Sequence, residues 1–424
     1  MIKKIIFNIL IDLKLKFIEC LKPGNFKNHD GKCFTRKRIL TMGRMVLIIL
    51  RNNPMSLQTR LDDFFEEIEH KEETVSKQAF SEARAKLDPD VVKSSFELTA
   101  KTLASCDDLE LWKGKYRLCA IDGSDIALEN EAPIIEHFGC SGSKKNAATA
   151  MASLCFDALN NIIYDAALYP YTQSEREAAR AHISVVEALP RPKGVRNLFI
   201  FDRGYPSHAL FSEFIDTDVS FLMRVRKNFN HEFDLVDKDE KITFTCKDKE
   251  YQVRVFNLTL EGGEKEILVT NLCDEDLKYH EAADLYFKRW CIESKFRSLK
   301  SKLELENMSG RRPITVYQDF WAKMDLSNTI AALEFATNET IEENTAGLAY
   351  KYKKTTNESY LISNLCKRYV ELMCEPDADK RVALFEMLVK DIAKRPEDVK
   401  PDRKSARKIP RNRKFCDRYK RALR

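Results

Sequence analysis

The sequence predicts an α/β fold built on a mixed β-sheet, and three observations support this. Apolar runs and helical patterns between residues 116 and 225 follow the order strand, strand, strand, helix, strand, helix, strand. Two runs, Tyr116–Ile121 and Asn197–Phe201, are almost continuously apolar, which is typical of strands buried on both faces. Each of these two strands ends at an aspartate, Asp122 or Asp202. The sequence therefore predicts a buried sheet with acidic side chains at one edge.

Bulk composition describes a soluble globular protein with two or three domains. The chain has 424 residues, of which 44% are apolar and 32% are charged. Its twelve cysteines include no C-x2-C pair, so a zinc ribbon is disfavoured and a reduced, cytoplasmic protein is expected. The start, MIKKIIFNILIDLKLKF, predicts an amphipathic helix rather than a signal peptide. No apolar run reaches eighteen residues, so no membrane span is expected.

Residues 1–110 have helical patterns and form the first predicted domain. Helices are expected at Thr41–Asn52, Ser56–Glu69 and Lys77–Leu87, the last with Ser76 as its N-cap. Short helices with exposed cations are one way in which proteins enter a DNA groove. The basic residues concerned are Arg36, Lys37, Arg38, Arg44, Lys77, Arg84 and Lys86. A DNA-binding domain and an ordinary helical domain with a solvated face are equally compatible with this pattern.

Residues 111–312 form the second predicted domain, which contains the sheet. Besides the two aspartate-ended strands, the patterns predict strands at Ala147–Phe156, Ile162–Leu168 and Val219–Val225, and helices at Ser174–Leu189 and Ser207–Ile215. Residues 229–272 are expected to be a β-rich insertion. Its strands are predicted at Ile242–Cys246, Tyr251–Leu260 and Glu266–Thr270.

A single helix is predicted for the stretch from Leu285 to Leu303. At about 100° per residue, Tyr286, Arg289, Glu293 and Lys300 fall within roughly 60° of one another. An apolar stripe about 80° away would dock this helix on a core. The stripe consists of Leu285, Ile292, Phe296, Leu299 and Leu303. One edge of the helix would thus present a phenol, a guanidinium, a carboxylate and an ammonium, although a solvated charged face would look similar.

Three carboxylates can be interpreted together. Asp122 and Asp202 end strands that we expect to be neighbours, and Glu293 lies on a helix with a docking face. Acidic groups that close repel one another unless a cation lies between them. Hard oxygen ligands suit Mg²⁺, or Mn²⁺ in its place. Two such ions about 4 Å apart could clamp the attacking and leaving oxygens of a phosphodiester.

The motifs IDGSD at 121–125 and DRGY at 202–205, with the spacing Y-x2-R-x3-E-x6-K, resemble the DDE transposases of bacterial insertion sequences. The resemblance is strongest to the subgroup called insertion-sequence family four, and it extends from about Phe34 to Met308. SKQAFSEARAKL at 76–87 is similar to the segment by which members of that family begin.

This resemblance implies a ribonuclease H-like core with a β-rich insertion. It implies that Asp122, Asp202 and Glu293 bind catalytic Mg²⁺, and that Tyr286, Arg289 and Lys300 grip the DNA backbone. Double-stranded DNA, as terminal inverted repeats and as target, is the implied partner of a homodimer. In similar transposases an aromatic residue of the insertion receives a flipped base; Phe229, Phe233 and Tyr251 are candidates, each more typical of the insertion core.

Residues 313–424 form the third predicted region, which is helical and ends in a basic tail. Helices are expected at Val316–Leu333, Glu358–Cys374 and Ala378–Lys394, with a polar linker at Asn338–Asn357. Residues 394–424 contain fourteen Lys and Arg against four Asp and Glu, which favours non-specific contact with nucleic acid.

Two alternatives to an active transposase remain open at this point. One is a transposase-derived DNA-binding protein or repressor that no longer joins strands. The other is a metal-dependent nuclease that hydrolyses DNA without joining it. Three clustered carboxylates that would repel phosphate argue against a protein that only binds DNA.

Overall fold

The computed structural model describes residues 2–21, 33–34, 38–51, 56–68, 74–141, 147–259 and 265–400. The chain divides into two compact units. The helical unit comprises Met1–Thr99 and Asn307–Arg424, and the sheet unit comprises Ala100–Glu306. The basic residues Arg36 and Lys37, residues 142–146 and the basic tail from 401 lie outside the described residues.

The described helices and strands largely follow the predicted order. In chain order, the helices are α1 (Ile2–Glu19), α2 (Met42–Leu50), α3 (Leu57–Asp63, continued by a π-helical turn at Phe64–Ile68), α4 (Lys77–Arg84), α5 (Pro89–Ala104), α6 (Ala132–Phe138), α7 (Glu175–Ala188), α8 (His208–Asp216), α9 (His231–Leu235), α10 (Tyr279–Phe287), α11 (Trp290–Ser301), α12 (Pro313–Thr345), α13 (Glu358–Cys374) and α14 (Ala378–Ala393). The strands are β1 (Tyr116–Ala127), β2 (Cys140–Ser141), β3 (Ala147–Asp157), β4 (Ile162–Pro170), β5 (Arg196–Phe201), β6 (Ser220–Val225), β7 (Asp239–Cys246), β8 (Lys249–Thr259), β9 (Lys265–Thr270), β10 (Lys354–Thr355) and β11 (Glu397–Asp398).

The sheet unit contains one mixed sheet. Its strands lie in the order β2-β3-β1-β5-β6-β9-β8-β7, and β4 also pairs with β3. The pairs β4–β3 and β3–β1 are antiparallel, whereas β1–β5 and β5–β6 are parallel. This arrangement of five strands confirms the predicted mixed α/β fold and agrees with a ribonuclease H-like core.

The β-rich insertion is part of the same sheet. Its last strand, β9, pairs antiparallel with β6 through Leu222–Thr270 and the next three pairs, and β8 and β7 follow outward. Residues 260–264, between β8 and β9, lie outside the described residues. The insertion therefore lengthens the central sheet on the side away from β1.

Packing fixes which face of the sheet each aspartate occupies. Leu118, Leu198 and Leu222 belong to one buried cluster that also contains Leu285 and Tyr286 of α10. Side chains alternate between the faces of a strand. Even-numbered residues of β1 and β5 therefore point toward the face that α10 covers.

The predicted single helix at Leu285–Leu303 was wrong in one respect. Helix α10 ends at Phe287 and α11 begins at Trp290. Between them the backbone hydrogen bonds have the 3₁₀ pattern, because the amides of Lys288 and Arg289 donate to carbonyls three residues earlier. All five members of the predicted apolar stripe are buried; they are Leu285, Ile292, Phe296, Leu299 and Leu303.

In the helical unit the predicted linker was also wrong, and one basic residue considered for DNA contact is buried. Helix α12 continues to Thr345 and so occupies the start of the predicted linker; Asn338 on this helix accepts hydrogen bonds from the amide and hydroxyl of Thr356. Arg84, one of the basic residues considered for DNA contact, is 6% exposed and forms an ion pair of 2.6 Å with Asp319. Its charge is therefore used inside the helical unit.

A buried ion pair lies at the centre of the helical unit. Lys14 of α1 donates to both carboxylate oxygens of Asp325 at 2.7 Å, and also to Thr329 and Tyr369. These partners come from α12 and α13, so the ammonium of Lys14 ties three helices together. None of the helices in the described ranges is both long and apolar enough to cross a lipid bilayer.

Candidate active site

Asp122 and Asp202 lie level with each other beyond the last pair of the parallel strands β1 and β5. The last pair is Ala120 with Ile200, and each aspartate comes two residues later. Both have the even parity that points toward the face covered by α10. The two aspartate-ended strands are therefore neighbours, as the sequence predicts, and their register brings the two aspartates to the same level.

The carboxyl group of Asp122 is poorly solvated. Its side chain is 21% exposed, its Oδ1 accepts from the backbone amide of Gly123 at 2.9 Å, and its Oδ2 lies 3.8 Å from Nη1 of Arg289. Burial raises the pKa of Asp122 to about 7; Arg289 opposes this rise, and the charges of Asp202 and Glu175 add to it. Asp122 is thus a carboxylate whose negative charge the protein alone does not fully compensate.

Asp202 begins the loop after β5. Its Oδ1 accepts a hydrogen bond from the amide of Gly204 at 2.7 Å, which closes a tight turn. Tyr205 follows in this loop and is completely buried. The turn fixes the carboxylate of Asp202 at the edge of the sheet, half-buried and beside Asp122.

Glu293 reaches Asp122 only through Arg289. Nη2 of Arg289 donates to Oε1 of Glu293 at 2.9 Å, while Nη1 is the group near Asp122. The guanidinium, 8% exposed, therefore lies between two of the three predicted acids. Within the part of the chain that the structure describes, no three His, Cys, Asp or Glu side chains are close enough to share a metal ion.

The other two residues of the predicted motif hold this region together. Tyr286 is 4% exposed, and the guanidinium of Arg289 lies 5.8 Å from the centre of its ring. Burial raises the pKa of the Tyr286 hydroxyl. Nζ of Lys300 donates to Oγ of Ser124 at 2.8 Å and to the carbonyl of Asp125, which ties α11 to β1 beyond Asp122.

Glu175 is a carboxylate at this site that the sequence interpretation missed. It is the first residue of α7. Partial burial of its carboxyl group raises its pKa, and the charges of Asp202 and Asp125 add to this rise. Acidic residues in the first turn of a helix are common because they favour the helix dipole. The sequence did contain one indication of this residue, a glutamate at the start of the helix that follows the third predicted strand. It was overlooked because a glutamate at that position is already explained by the helix dipole.

The three insertion aromatics considered for a flipped base are packed against neighbours. Phe233 is completely buried, Phe229 lies 5.1 Å from the ring of His208, and Tyr251 donates to Asp216 at 2.8 Å. Trp290, at the start of α11, is 43% exposed. Its ring lies 6.4 Å from that of Phe287, so an exposed aromatic pair flanks Arg289.

Comparison with solved structures finds a distant similarity, from which no conclusion about the class of the chain is drawn. A solved cryo-EM structure, "piggyBac transposase synaptic complex with hairpin DNA", matches with a TM-score of 0.44 and 10% identity, over 85% of this chain and 76% of that one. This similarity is too distant to specify any detail of the site. No curated protein matches the sequence.

The family is shown by a second comparison. The model described as "Transposase DDE domain" matches residues 113–328, just over half of the chain. The protein therefore belongs to the transposase DDE domain family, and it is a transposase of the DDE class.

Proposed function

We propose that this chain is an active DNA transposase of insertion-sequence family four. It binds terminal inverted repeats, cleaves the ends of its element and joins the 3′ ends to target DNA. The observation that supports this most is the level placement of Asp122 and Asp202 beyond the last β1–β5 pair. Register places two carboxylates at one edge of a sheet, where a shared cation can bind both.

The donor set fits a hard divalent cation. Asp122 has its pKa raised to about 7 by burial and by neighbouring carboxylates, and a bound cation would relieve both effects. We propose that Asp122, Asp202 and Glu293 hold Mg²⁺, for which Mn²⁺ can substitute. When bound, such ions activate the attacking water or 3′-hydroxyl and stabilise the leaving oxygen.

Arg289 and Lys300 supply positive charge next to these acids. A guanidinium binds phosphate oxygens in a bidentate manner, so a DNA phosphate competes with Glu293 for Arg289. Release of Glu293 would let its carboxylate turn toward Asp122. Tyr286 supports the guanidinium through its ring, and Lys300 contacts the backbone on the β1 side of the site.

We also propose that residues 1–110 recognise the inverted repeats and that the basic tail adds non-specific affinity. Lys77 and Lys86 are exposed on and after α4, as DNA contact requires. Residues 401–424 contain eleven Lys and Arg against two Asp and Glu, so a chain ending at 400 should bind DNA with a weaker salt dependence. The complex would be a homodimer on paired ends, acting on the nucleoid in the cytoplasm.

The test uses the DNA that flanks the gene. Sequencing it should reveal matching inverted ends, and a fragment with one such end is incubated with the protein, target DNA and Mg²⁺. Asp202→Ala should abolish cleavage while DNA binding remains. Asp284→Ala is the matched control, because this aspartate is exposed on α10 of the same unit and should leave cleavage unchanged.

Each outcome identifies one function. Strand-transfer products support the transposase. Cleavage without joining indicates a nuclease, and binding without cleavage indicates a transposase-derived repressor. Near-normal cleavage by Asp202→Ala would show that this residue has been assigned wrongly.

A further inference from the structure

Glu175 has a carboxylate that no described residue neutralises. It is the first residue of α7, its side chain is exposed, and no residue in the described ranges forms a hydrogen bond or an ion pair with its carboxylate. The dipole of α7 explains why an acidic residue is found at its N-terminus. It does not explain why the side chain of Glu175 lies close to the two aspartates. The side chain lies where the two strand-end aspartates meet.

Two glycines show how close the carboxylate is to both aspartate loops. A methyl group added to Gly123 would lie 3.4 Å from Oε1 of Glu175. One added to Gly204 would lie 3.8 Å from Oε2 and 3.0 Å from Oδ1 of Asp202. The carboxylate of Glu175 therefore spans from the backbone next to Asp122 to the turn that holds Asp202.

A buried hydroxyl next to these acids independently indicates a missing ligand. Tyr205 is 0% exposed, and within the described part of the chain its hydroxyl has no hydrogen-bond partner. Burial and the charges of three neighbouring carboxylates raise the pKa of this hydroxyl; they are Asp122, Glu175 and Asp202. Buried polar groups are nearly always satisfied, so a bound oxygen, such as a water on a cation, is the natural partner of this hydroxyl.

The first turn of α7 is fixed against the Asp202 loop. Arg176, next to Glu175, donates to the carbonyls of Tyr205 at 2.9 Å and Pro206 at 3.0 Å, and more weakly to that of Gly204. These bonds hold the helix start on the same turn that positions Asp202. The position of Glu175 is therefore set by the bonds of its neighbour Arg176 to the backbone of the Asp202 loop.

Further along α7, His182 anchors the helix to the sheet. Its Nδ1 lies 2.7 Å from Oδ2 of Asp165 on β4, and its Nε2 lies 2.9 Å from Oγ of Ser153 on β3. These three residue types could form a nucleophilic triad, but Ser153 is 1% exposed and no substrate reaches it. Their role is to position α7, and with it Glu175.

We propose that Glu175 is a further ligand of the divalent-cation site formed by Asp122 and Asp202, which gives this site a carboxylate on either side of the sheet. Because no three acidic side chains of the described residues are close enough to share an ion in this structure, the cation would draw the carboxylate of Glu175 toward the two aspartates. Gly123 has the parity opposite to Asp122, so Glu175 approaches from the face that α10 does not cover. The inference rests on the proposed function, because it assumes that the two aspartates bind metal.

The test measures Mn²⁺ binding by the full chain, both free and bound to an end fragment, by electron paramagnetic resonance. Glu175→Gln should weaken the affinity for Mn²⁺ roughly 10- to 100-fold, the effect typical of removing a partner from a metal site. It should also reduce the rise in melting temperature that Mn²⁺ gives. Glu177→Gln is the matched control, since Glu177 lies in the same turn but bonds to Gln173.

Unchanged Mn²⁺ affinity in Glu175→Gln would overturn the inference even if cleavage fell, because a structural role alone would explain that loss. Glu175→Asp keeps the charge with a shorter reach and should bind Mn²⁺ with intermediate affinity; it serves as the test if Glu175→Gln does not fold. If the wild-type chain binds no Mn²⁺ in either state and cuts no DNA, the proposed function fails instead.

Discussion

Replacing Asp122 with asparagine should stabilise the metal-free protein while abolishing cleavage. The wild-type carboxyl group is partly buried, and its pKa rises from an ordinary 3.8 to about 7. The folded chain therefore keeps the proton at pH values where the unfolded chain has released it. The contribution of the Asp122 carboxyl group to the free energy of unfolding falls as the pH rises from about 4 to 7, and it is constant above that range.

The magnitude follows from the two pKa values. Their difference corresponds to about 4 kcal/mol of lost stability above pH 7, which is the upper limit for the gain from Asp122→Asn. The substitution also removes the weak ion pair with Arg289 at 3.8 Å, and solvent reaches 21% of the side chain. We therefore expect a gain of about 2 kcal/mol at pH 8. For a unit of about 200 residues, this raises the melting temperature by roughly 4 to 8 °C.

The assay is urea and thermal unfolding of wild type and variant at pH 8 and near pH 4, with a chelator present. The gain should be largest at pH 8 and should be small near pH 4, where the wild-type carboxyl group is protonated in the folded chain and is becoming protonated in the unfolded chain. Asp125→Asn is the control, because this aspartate is exposed on the same strand. A variant that is destabilised at pH 8, or whose difference from wild type does not change with pH, would refute the reasoning.

Three further substitutions test how the site is held. His182→Leu leaves the carboxylate of Asp165 without its imidazole partner at 2.7 Å and should lower the free energy of unfolding by about 2 kcal/mol, measured in urea. Gly204→Ala places a methyl group 3.0 Å from Oδ1 of Asp202 and should reduce cleavage by roughly 10- to 100-fold without loss of DNA binding. Gly123→Ala, where the nearest atom would be at 3.4 Å, should have a smaller effect.

Much of the sheet could be predicted because its strands are buried on both faces. Continuous apolar runs such as NLFIF at 197–201 have few other interpretations, and the structure places β5 at Arg196–Phe201. The pairing of the insertion with the central sheet could not be predicted in the same way. The apolar residues Ile267–Val269 mark β9 as a buried strand, but nothing local shows that its partner is β6, about 45 residues earlier.

The helix boundaries failed where local sequence has no terminating signal. No proline or glycine separates Phe287 from Trp290, so the pattern predicts one continuous helix. Conversely, the polar stretch after Asn338 was interpreted as a linker, although it continues a 33-residue helix. There the amide side chain of Asn338 is satisfied by Thr356, a tertiary contact that composition does not reveal.

In the site, too, some residues could be predicted from local sequence and others only from the tertiary structure. Asp122 and Asp202 could be predicted because a buried strand that ends in aspartate is informative by itself, and register then brings the two together. Glu175 acquires its position only because α7 begins at the edge where those strands end and because Arg176 fastens it to the Asp202 loop. A glutamate in a first helical turn has an ordinary explanation in the helix dipole. It becomes a candidate ligand only when the sheet shows which other acids it faces.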